Sequence, residues 1–451
     1  MAIEAEHSES IVAVSTGSMR AALAIVRLSG PRVPAIGRAL LHPFPVQPRR
    51  ATLTTARDPD SGIALDQLIA VRYDAPHSYT GEAMLELSCH GGQATSAALL
   101  AACLALGART AQPGEFTRRA LLNGKLDLAQ AEAVADLVDA TSEPMRRVAL
   151  GAVGGGLSNH VAELRSAILQ LEAVMAYSVD FPEEDEAEVS REQVGVMATE
   201  VRDRITHLLE TAARGSVIRD GALVVFAGPP NAGKSSLFNA LLGQERAIVT
   251  DIPGTTRDAI EHPCMVGNWP VRLVDTAGLR ASSDVVERLG IEVSERYVKD
   301  AELCIVCSDG NGMSLRDSEV AVKNLGAVST IAVQTKSDAR NHGTDTDGLW
   351  VSATTGAGLP QLRTAIMRAL EARYGAIDYE SPIITRARHA AMLSQAAEEL
   401  TFFSDAMRAG TTPTIAAVHL RAAVSALEEI IGAVSVDDLL DEVFSRFCIG
   451  K

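Results

Sequence analysis

The chain has 451 residues, a formal net charge of −16, 47% hydrophobic residues and 4% aromatic ones. That length exceeds one ordinary core, so two or three domains of an Ala- and Leu-rich, largely helical protein are expected. The acidic balance excludes a chain that coats itself in nucleic acid.

Any RNA contact must therefore come from a local patch. Arg118-Arg119, Arg146-Arg147 and Arg386-Ala387-Arg388-His389 are the candidates, and each taken alone reads as a solvated helix face. No uncharged apolar run reaches 18 residues, so no membrane span is expected. The N-terminal MAIEAEHSES lacks the basic and apolar regions of a secretory signal. Six cysteines lie scattered without a disulfide-scaffold spacing, which points to a reducing cytoplasm.

In chain order, residues 10 to about 120 mix short β-like runs at 11–14, 23–26 and 68–71 with a helical stretch at 94–106, a pattern that predicts a compact α/β or α+β domain. Helical periodicity takes over from about residue 123. Val161, Leu164, Ile168, Leu171 and Met175 recur at three and four residues, the stripe of a bundle helix. The acidic stretch 180–186, with Pro182, breaks it. Residues 221–375 then alternate β-runs near 223–227, 271–275, 303–307, 330–335 and 350–353 with helices, in the manner of a P-loop α/β domain. Helix returns to the end. Ser435 is the expected N-cap of the last helix, Asp438 lies near its first turn, and its stripe is Val436, Leu439, Leu440, Val443, Phe444 and Phe447. The predicted architecture is a nucleotide domain inserted into a helical bundle whose two halves flank it.

The run Gly228-Pro-Pro-Asn-Ala-Gly-Lys-Ser-Ser236 directly follows the apolar run 223–227 and precedes a helical segment. A strand delivering G-x-x-x-x-G-K-S into a helix is a phosphate-binding P-loop, with backbone N–H groups turned around a polyphosphate. Lys234 supplies charge for the β/γ-phosphates and the Ser235 hydroxyl can sit on Mg²⁺. The adjoining Asn231, Ala232, Gly233 and Ser236 complete the loop. Asp275-Thr276-Ala277-Gly278 ends a strand 41 residues after Lys234, which places a carboxylate toward Mg²⁺ and a glycine N–H toward the γ-phosphate. Between them, Thr250-Asp251-Ile252-Pro253-Gly254-Thr255-Thr256 supplies a switch threonine, with Thr256 the candidate second Mg²⁺ hydroxyl. Thr335-Lys336-Ser337-Asp338 follows another strand. A carboxylate there accepts from the N1–H and 2-amino group of guanine, which adenine does not offer, so GTP is favoured over ATP. Ser352, Ala353 and Thr354 complete the base-proximal set. Thr335 stands where the usual motif has Asn, and Leu279 where Ras-type GTPases place a water-orienting Gln. Cys304 and Cys307 form a C-x-x-C, but within an apolar strand positions three apart face opposite ways, which argues against a metal pair.

Three further stretches carry a family resemblance: Tyr79-Thr-Gly-Glu-Ala-Met-Leu-Glu-Leu-Ser-Cys-His-Gly-Gly92, the segment Pro113-Gly-Glu-Phe-Thr-Arg-Arg119 through Asn123-Gly-Lys-Leu-Asp-Leu128 to Val134, and the terminal Cys448-Ile-Gly-Lys451. Over essentially its full length the chain resembles the MnmE (TrmE) family of tRNA uridine-modification GTPases. The resemblance implies a multidomain α/β and α protein: an N-terminal tetrahydrofolate-binding-like dimerisation domain (1–122), a helical domain (123–220 with 376–451) and an inserted Ras-like G domain (221–375). It implies a homodimer, and K⁺ held by Asn231, Thr250, Ile252 and Thr255 in place of an arginine finger. It implies Glu287, twelve residues after Asp275, as the catalytic residue that orients water through a bridging water. Arg27, Glu82, Lys125 and Lys451 match residues that contact 5-formyl- or methylene-tetrahydrofolate, and Cys448 matches a cysteine with a proposed role in modification. Ala21, Ala22 and Leu121 depart from the family's pattern in that domain. The implied partners are an MnmG (GidA)-type FAD protein, in a heterotetramer or larger complex, and tRNA. A regulatory or ribosome-assembly GTPase without base-modifying activity is the alternative reading. The G motifs alone fit both.

Overall fold

The computed structural model describes residues 9–17, 21–180, 191–244, 261–275, 295–310, 314–339, 348–432, 440, 443–444, 447–448 and 450, the side chains of 177–180, 191–192 and 244 aside. The chain divides into two units, Met1–Ala135 with Glu428–Lys451, and Asp136–Leu427.

The first unit is built on a sheet ordered β3-β4-β5-β6-β2-β1-β7, with β1 Ile11–Val14, β2 Leu23–Ser29, β3 Leu41–His42, β4 Thr52–Arg57, β5 Ala64–Tyr73, β6 Met84–His90 and β7 Arg109–Thr110. All its pairs are antiparallel except β1 with β7. In β2 the side chains alternate. Ala24, Val26 and Leu28 are buried while Leu23 is 61% exposed, so Arg27 projects from the face opposite the core. The helices Val33–Leu40 and Gln93–Ala105 close the apolar face, where Val26, Leu28, Ile36, Leu40, Leu85, Leu87, Leu99 and Cys103 form one core. Each such large side chain contributes about 1.5–3 kcal/mol on burial. Leu440, Phe444 and Phe447 pack with Leu128 and Ala131 in a satellite core of this same unit. Leu128 and Ala131 fall in the stretch 123–220, which the sequence groups with 376–451. A helical stripe shows that a face is buried, not which partner buries it. Ser435, Val436, Asp438 and Leu439 lie outside the described residues.

In the second unit the stripe Val161, Leu164, Ile168, Leu171 and Met175 is buried along the helix Gly156–Asp180. That helix packs on Arg191–Glu210, which in turn packs on Ala387–Arg408. The helix Pro413–Ile431 is tied to Gly156–Asp180 by Arg421 Nε on Glu172 at 2.6 Å. Segments from both sides of the nucleotide region thus build one bundle. Arg386 donates to Asp136 at 2.7 and 3.2 Å, and the Ile384 amide donates to Thr211 Oγ1 at 3.0 Å.

The sheet of this unit runs β13-β12-β11-β8-β10-β9, with β8 Ala222–Ala227, β9 Glu261–Val266, β10 Trp269–Asp275, β11 Leu303–Ser308, β12 Thr330–Gln334 and β13 Leu349–Trp350. All pairs are parallel except β9 with β10. Every residue of β8 and β11 is buried, as a parallel sheet covered on both faces requires. Val224, Phe226 and Cys307 belong to the core on one face, Leu223, Val225 and Cys304 to the core on the other. The two C-x-x-C thiols therefore point apart, and burial pushes each up to about 12.

Candidate functional site

The P-loop leaves β8 between two parallel neighbours, β10 and β11, at the strand ends where α/β sheets place ligands. At Gly228 the backbone has φ +136°, and a Cβ there would collide with the Cys307 carbonyl oxygen. Only glycine lets the chain turn this close to β11. Asn231 is left-handed, φ 61°, with an exposed side chain, and Ala232 behind it is buried. The helix Lys234–Gln244 starts at the loop's end, so its unpaired first-turn amides face the loop. Lys234 is only 5% exposed. Its Nζ donates to Gly228 O at 3.0 Å and Pro229 O at 2.8 Å. A buried ammonium beside a turn of backbone amides suits a polyphosphate. Ser235 and Ser236 are exposed on the helix's first turn and Gly233 is half-buried, so the Ser235 hydroxyl is available to a hard cation such as Mg²⁺.

The base-side loop is fastened to the P-loop through side chains. Thr335 is 4% exposed. Its amide donates to Ser308 O at 2.8 Å, and its hydroxyl lies 2.6 Å from Ala232 O and 3.2 Å from Ser308 O. Lys336, left-handed at φ 57°, donates to Asn231 O and to Asp309 Oδ2, both at 2.8 Å. Asp338 lies on the 3₁₀ turn Ser337–Ala339 with an exposed side chain. It accepts from the fully buried Ser352 hydroxyl at 2.6 Å. That bond, followed by one from its own backbone amide, holds the Asp338 carboxyl below the usual carboxylate range. Ser337 N donates to Val351 O at 3.3 Å, joining the turn to the segment that carries Ser352, half-buried Ala353 and exposed Thr354. Asp275 ends β10 in register with Phe226 of β8. The P-loop, Asp275, the T-K-S-D turn and Ser352 thus assemble at one edge of the sheet. Thr250, Asp251, Ile252, Pro253, Gly254, Thr255 and Thr256 lie outside the described residues, as do Thr276, Ala277, Gly278 and Glu287.

A second cluster occupies the first unit. Arg27 pairs with Glu86 at 2.9 Å, with its guanidinium 5.6 Å from the Tyr79 ring centre and 5.7 Å from that of Phe116. Glu82 accepts from Ser29 Oγ at 2.7 Å and from Arg119 at 3.0 Å. Lys125 Nζ donates to Pro76 O at 3.2 Å, and its stem lies against Gly81, which is left-handed at φ 78°. Arg27, Glu82 and Lys125 therefore gather around the segment Pro76–Glu82 and the helix Glu115–Leu122. The chain's end lies here too: Cys448 is exposed, its carbonyl accepting from Gly114 N at 3.4 Å, and Gly450 O accepts from Ser15 Oγ at 3.0 Å and Arg27 at 3.5 Å. Lys451 lies outside the described residues.

Of the basic pairs read as solvated helix faces, Arg146 and Arg147 are exposed and pair with Glu143. Arg119 and His389 are each 3% exposed, so that reading is corrected for them. Arg119 is buried because it bonds Glu115 at 3.3 Å besides Glu82. Burial opposes the charge on Glu115, but bonds from Arg109 and the Gln112 amide, with the nearby Arg119 charge, hold its carboxyl below the usual range. The four-residue spacing of Glu115 and Arg119 was the available signal.

Residues 128–448 match the family model described as "MnmE helical domain", and residues 10–125 match "GTP-binding protein TrmE N-terminus". Relatives named "tRNA modification GTPase MnmE" include that of Azoarcus sp., 43% identical with 98% of each chain covered. That of Aquifex aeolicus is 42% identical over 98% of this chain and all of its own, and that of Methylorubrum populi is 42% identical with 98% of each covered. Among solved structures, the G domain of the T. maritima FeoB iron transporter is similar over 33% of this chain and 98% of that one, at 24% identity and a TM-score of 0.24. With family models spanning both units and relatives this similar from end to end, the chain belongs to the MnmE family.

Proposed function

We propose that this chain is a GTP hydrolase of tRNA modification. With an MnmG (GidA)-type FAD protein it adds an aminomethyl or carboxymethylaminomethyl group to the wobble uridine of certain tRNAs, and GTP hydrolysis drives closure of the G domains in a cytoplasmic homodimer. The observation that carries the GTPase reading is the single fastened assembly of Lys234, Thr335, Lys336, Asp338 and Ser352. The tRNA side rests on membership of a family whose relatives carry that activity in their names. The working division is 1–122, 123–220 with 376–451, and 221–375.

Ser235 and Thr256 hold Mg²⁺ in this reading. K⁺, held by Asn231, Thr250, Ile252 and Thr255, supplies the positive charge that an arginine finger gives elsewhere. Leu279 cannot orient water, so Glu287 does so through a bridging water. Arg27, Glu82, Lys125 and Lys451 bind 5-formyl- or methylene-tetrahydrofolate: cations suit the folate's carboxylates and carbonyls, and a carboxylate suits the amino edge of its pterin. Cys448 is assigned to the modification chemistry. The test is GTP turnover in matched KCl and NaCl. The reading expects turnover several-fold faster in K⁺, and equal rates would remove the cation from the mechanism.

A further inference from the structure

Glu82 sits inside a closed ring of hydrogen bonds. Its amide donates to Thr80 Oγ1 at 3.2 Å. The Thr80 and Ser29 hydroxyls are 2.7 Å apart, and Ser29 Oγ donates to Glu82 Oε2 at 2.7 Å. A single proton direction satisfies all three bonds: Glu82 amide to Thr80, Thr80 to Ser29, Ser29 to the Glu82 carboxylate. From the other side Arg119 Nη1 lies 3.0 Å from Oε2 and 3.3 Å from Oε1. Arg119 cannot swing away. It also bonds Glu9 O at 3.0 Å and Glu115 at 3.3 Å, and its side chain is 4% exposed against 12% for Glu82. Oε2 carries two short bonds while Oε1 carries one long one, which leaves acceptor capacity on Oε1 for a ligand donor.

We propose that Arg119, with Ser29, is a positioning residue that fixes the Glu82 carboxylate for a donor on a heterocycle edge, the 2-amino group of a pterin. This inference rests on the folate reading above. Glu82 touches the ligand, and Arg119 acts through Glu82. A flexible glutamate loses side-chain entropy when it binds, and one already held by two anchors loses less. Arg119 thereby raises affinity for ligands that present donors at that edge, and not for those that lack them.

The test uses the full chain and two probes in equilibrium binding: 5-formyltetrahydrofolate, and its counterpart with the pterin 2-amino group replaced by methyl. Arg119→Met is expected to weaken the first by about ten-fold or more, the scale of a lost charge-assisted bond, and the second by less than about three-fold. Glu115→Gln, which strikes the same ion network away from Glu82, is expected to lower the melting temperature and leave the ratio of the two affinities unchanged. Equal weakening of both probes by Arg119→Met, or an equal change of ratio in Glu115→Gln, would reduce Arg119 to a structural ion pair and overturn the proposal. If Arg119→Met does not fold, Ser29→Ala removes the second anchor without changing charge. A selective loss of the amino-bearing probe supports the proposal, and an equal loss of both overturns it. Failure of the unaltered chain to bind 5-formyltetrahydrofolate overturns the folate reading itself, and the positioning role with it.

Discussion

Thr335→Val removes one hydroxyl and keeps the β-branched shape, so it deletes the bond from Thr335 Oγ1 to Ala232 O at 2.6 Å and the longer one to Ser308 O at 3.2 Å, while Ser308 O keeps the Thr335 amide at 2.8 Å. Thr335 is 4% exposed and Ala232 is fully buried, so water cannot readily replace the lost donor. A buried carbonyl left without its partner costs about 1–3 kcal/mol. The carbonyl belongs to the P-loop itself, between Asn231 and Gly233, and nucleotide binding requires that loop in the observed path. Lys336 still holds Asn231 O at 2.8 Å, so the loop loosens rather than unravels, and about half of that cost falls on binding. The expected result is a loss of GDP affinity of about five-fold, since half of a cost near 2 kcal/mol is about 1 kcal/mol and 1.4 kcal/mol is one decade. Displacement of a fluorescent GDP analogue measures it, with Thr335→Ser as the control that keeps the hydroxyl and loses only a methyl. If Thr335→Val binds within about two-fold of Thr335→Ser, the hydroxyl is not the fastening between base loop and P-loop, and the reasoning fails.

Asp338→Asn replaces an acceptor-only carboxylate with an amide that also donates, so GTP affinity should fall by about a hundred-fold while xanthosine triphosphate, which presents an acceptor at that edge, improves. Competition between the two nucleotides measures it, and an unchanged preference would remove Asp338 from base recognition. Glu115, with its folded carboxyl held below the ordinary 4.5, contributes stability that is present above that value and lost as pH falls through the lower folded one. Thermal melts between pH 6 and the acid limit should therefore show a shallower acid loss in Glu115→Gln than in the unaltered chain. Parallel acid limbs would deny the pair its role.

The nucleotide sheet was legible because its strands are continuous apolar runs. The run 223–227 became β8, and the opposed facing of Cys304 and Cys307 followed from strand period alone. The edge strand β9 was not read, although Gly267-Asn268 between Val266 and Trp269 is a two-residue hairpin signal. Its half-buried alternation is weaker than the runs of the central strands. The P-loop, Asp275 and the T-K-S-D turn were legible by spacing, but not the use of Thr335 as a fastening. That bond joins residues 103 apart in sequence, and no local pattern encodes it. Arg119 was misread for a related reason: its partner Glu82 is 37 residues away, and the four-residue spacing to Glu115 marks a pair without showing that the pair is buried. The destination of the stripe ending in Phe447 was hidden in the same way, since Leu128 and Ala131, which cover it, are known only from the fold.

The central claim joins GTP hydrolysis to a change in a tRNA base. Its most direct test is nucleoside mass spectrometry of tRNA incubated with this chain, GTP, K⁺, a tetrahydrofolate one-carbon donor and the MnmG-type flavoprotein. The account predicts an aminomethyl or carboxymethylaminomethyl wobble uridine that forms only when both proteins and GTP are present. Unmodified uridine from a mixture that hydrolyses GTP normally would contradict it, and would leave a switch GTPase in its place.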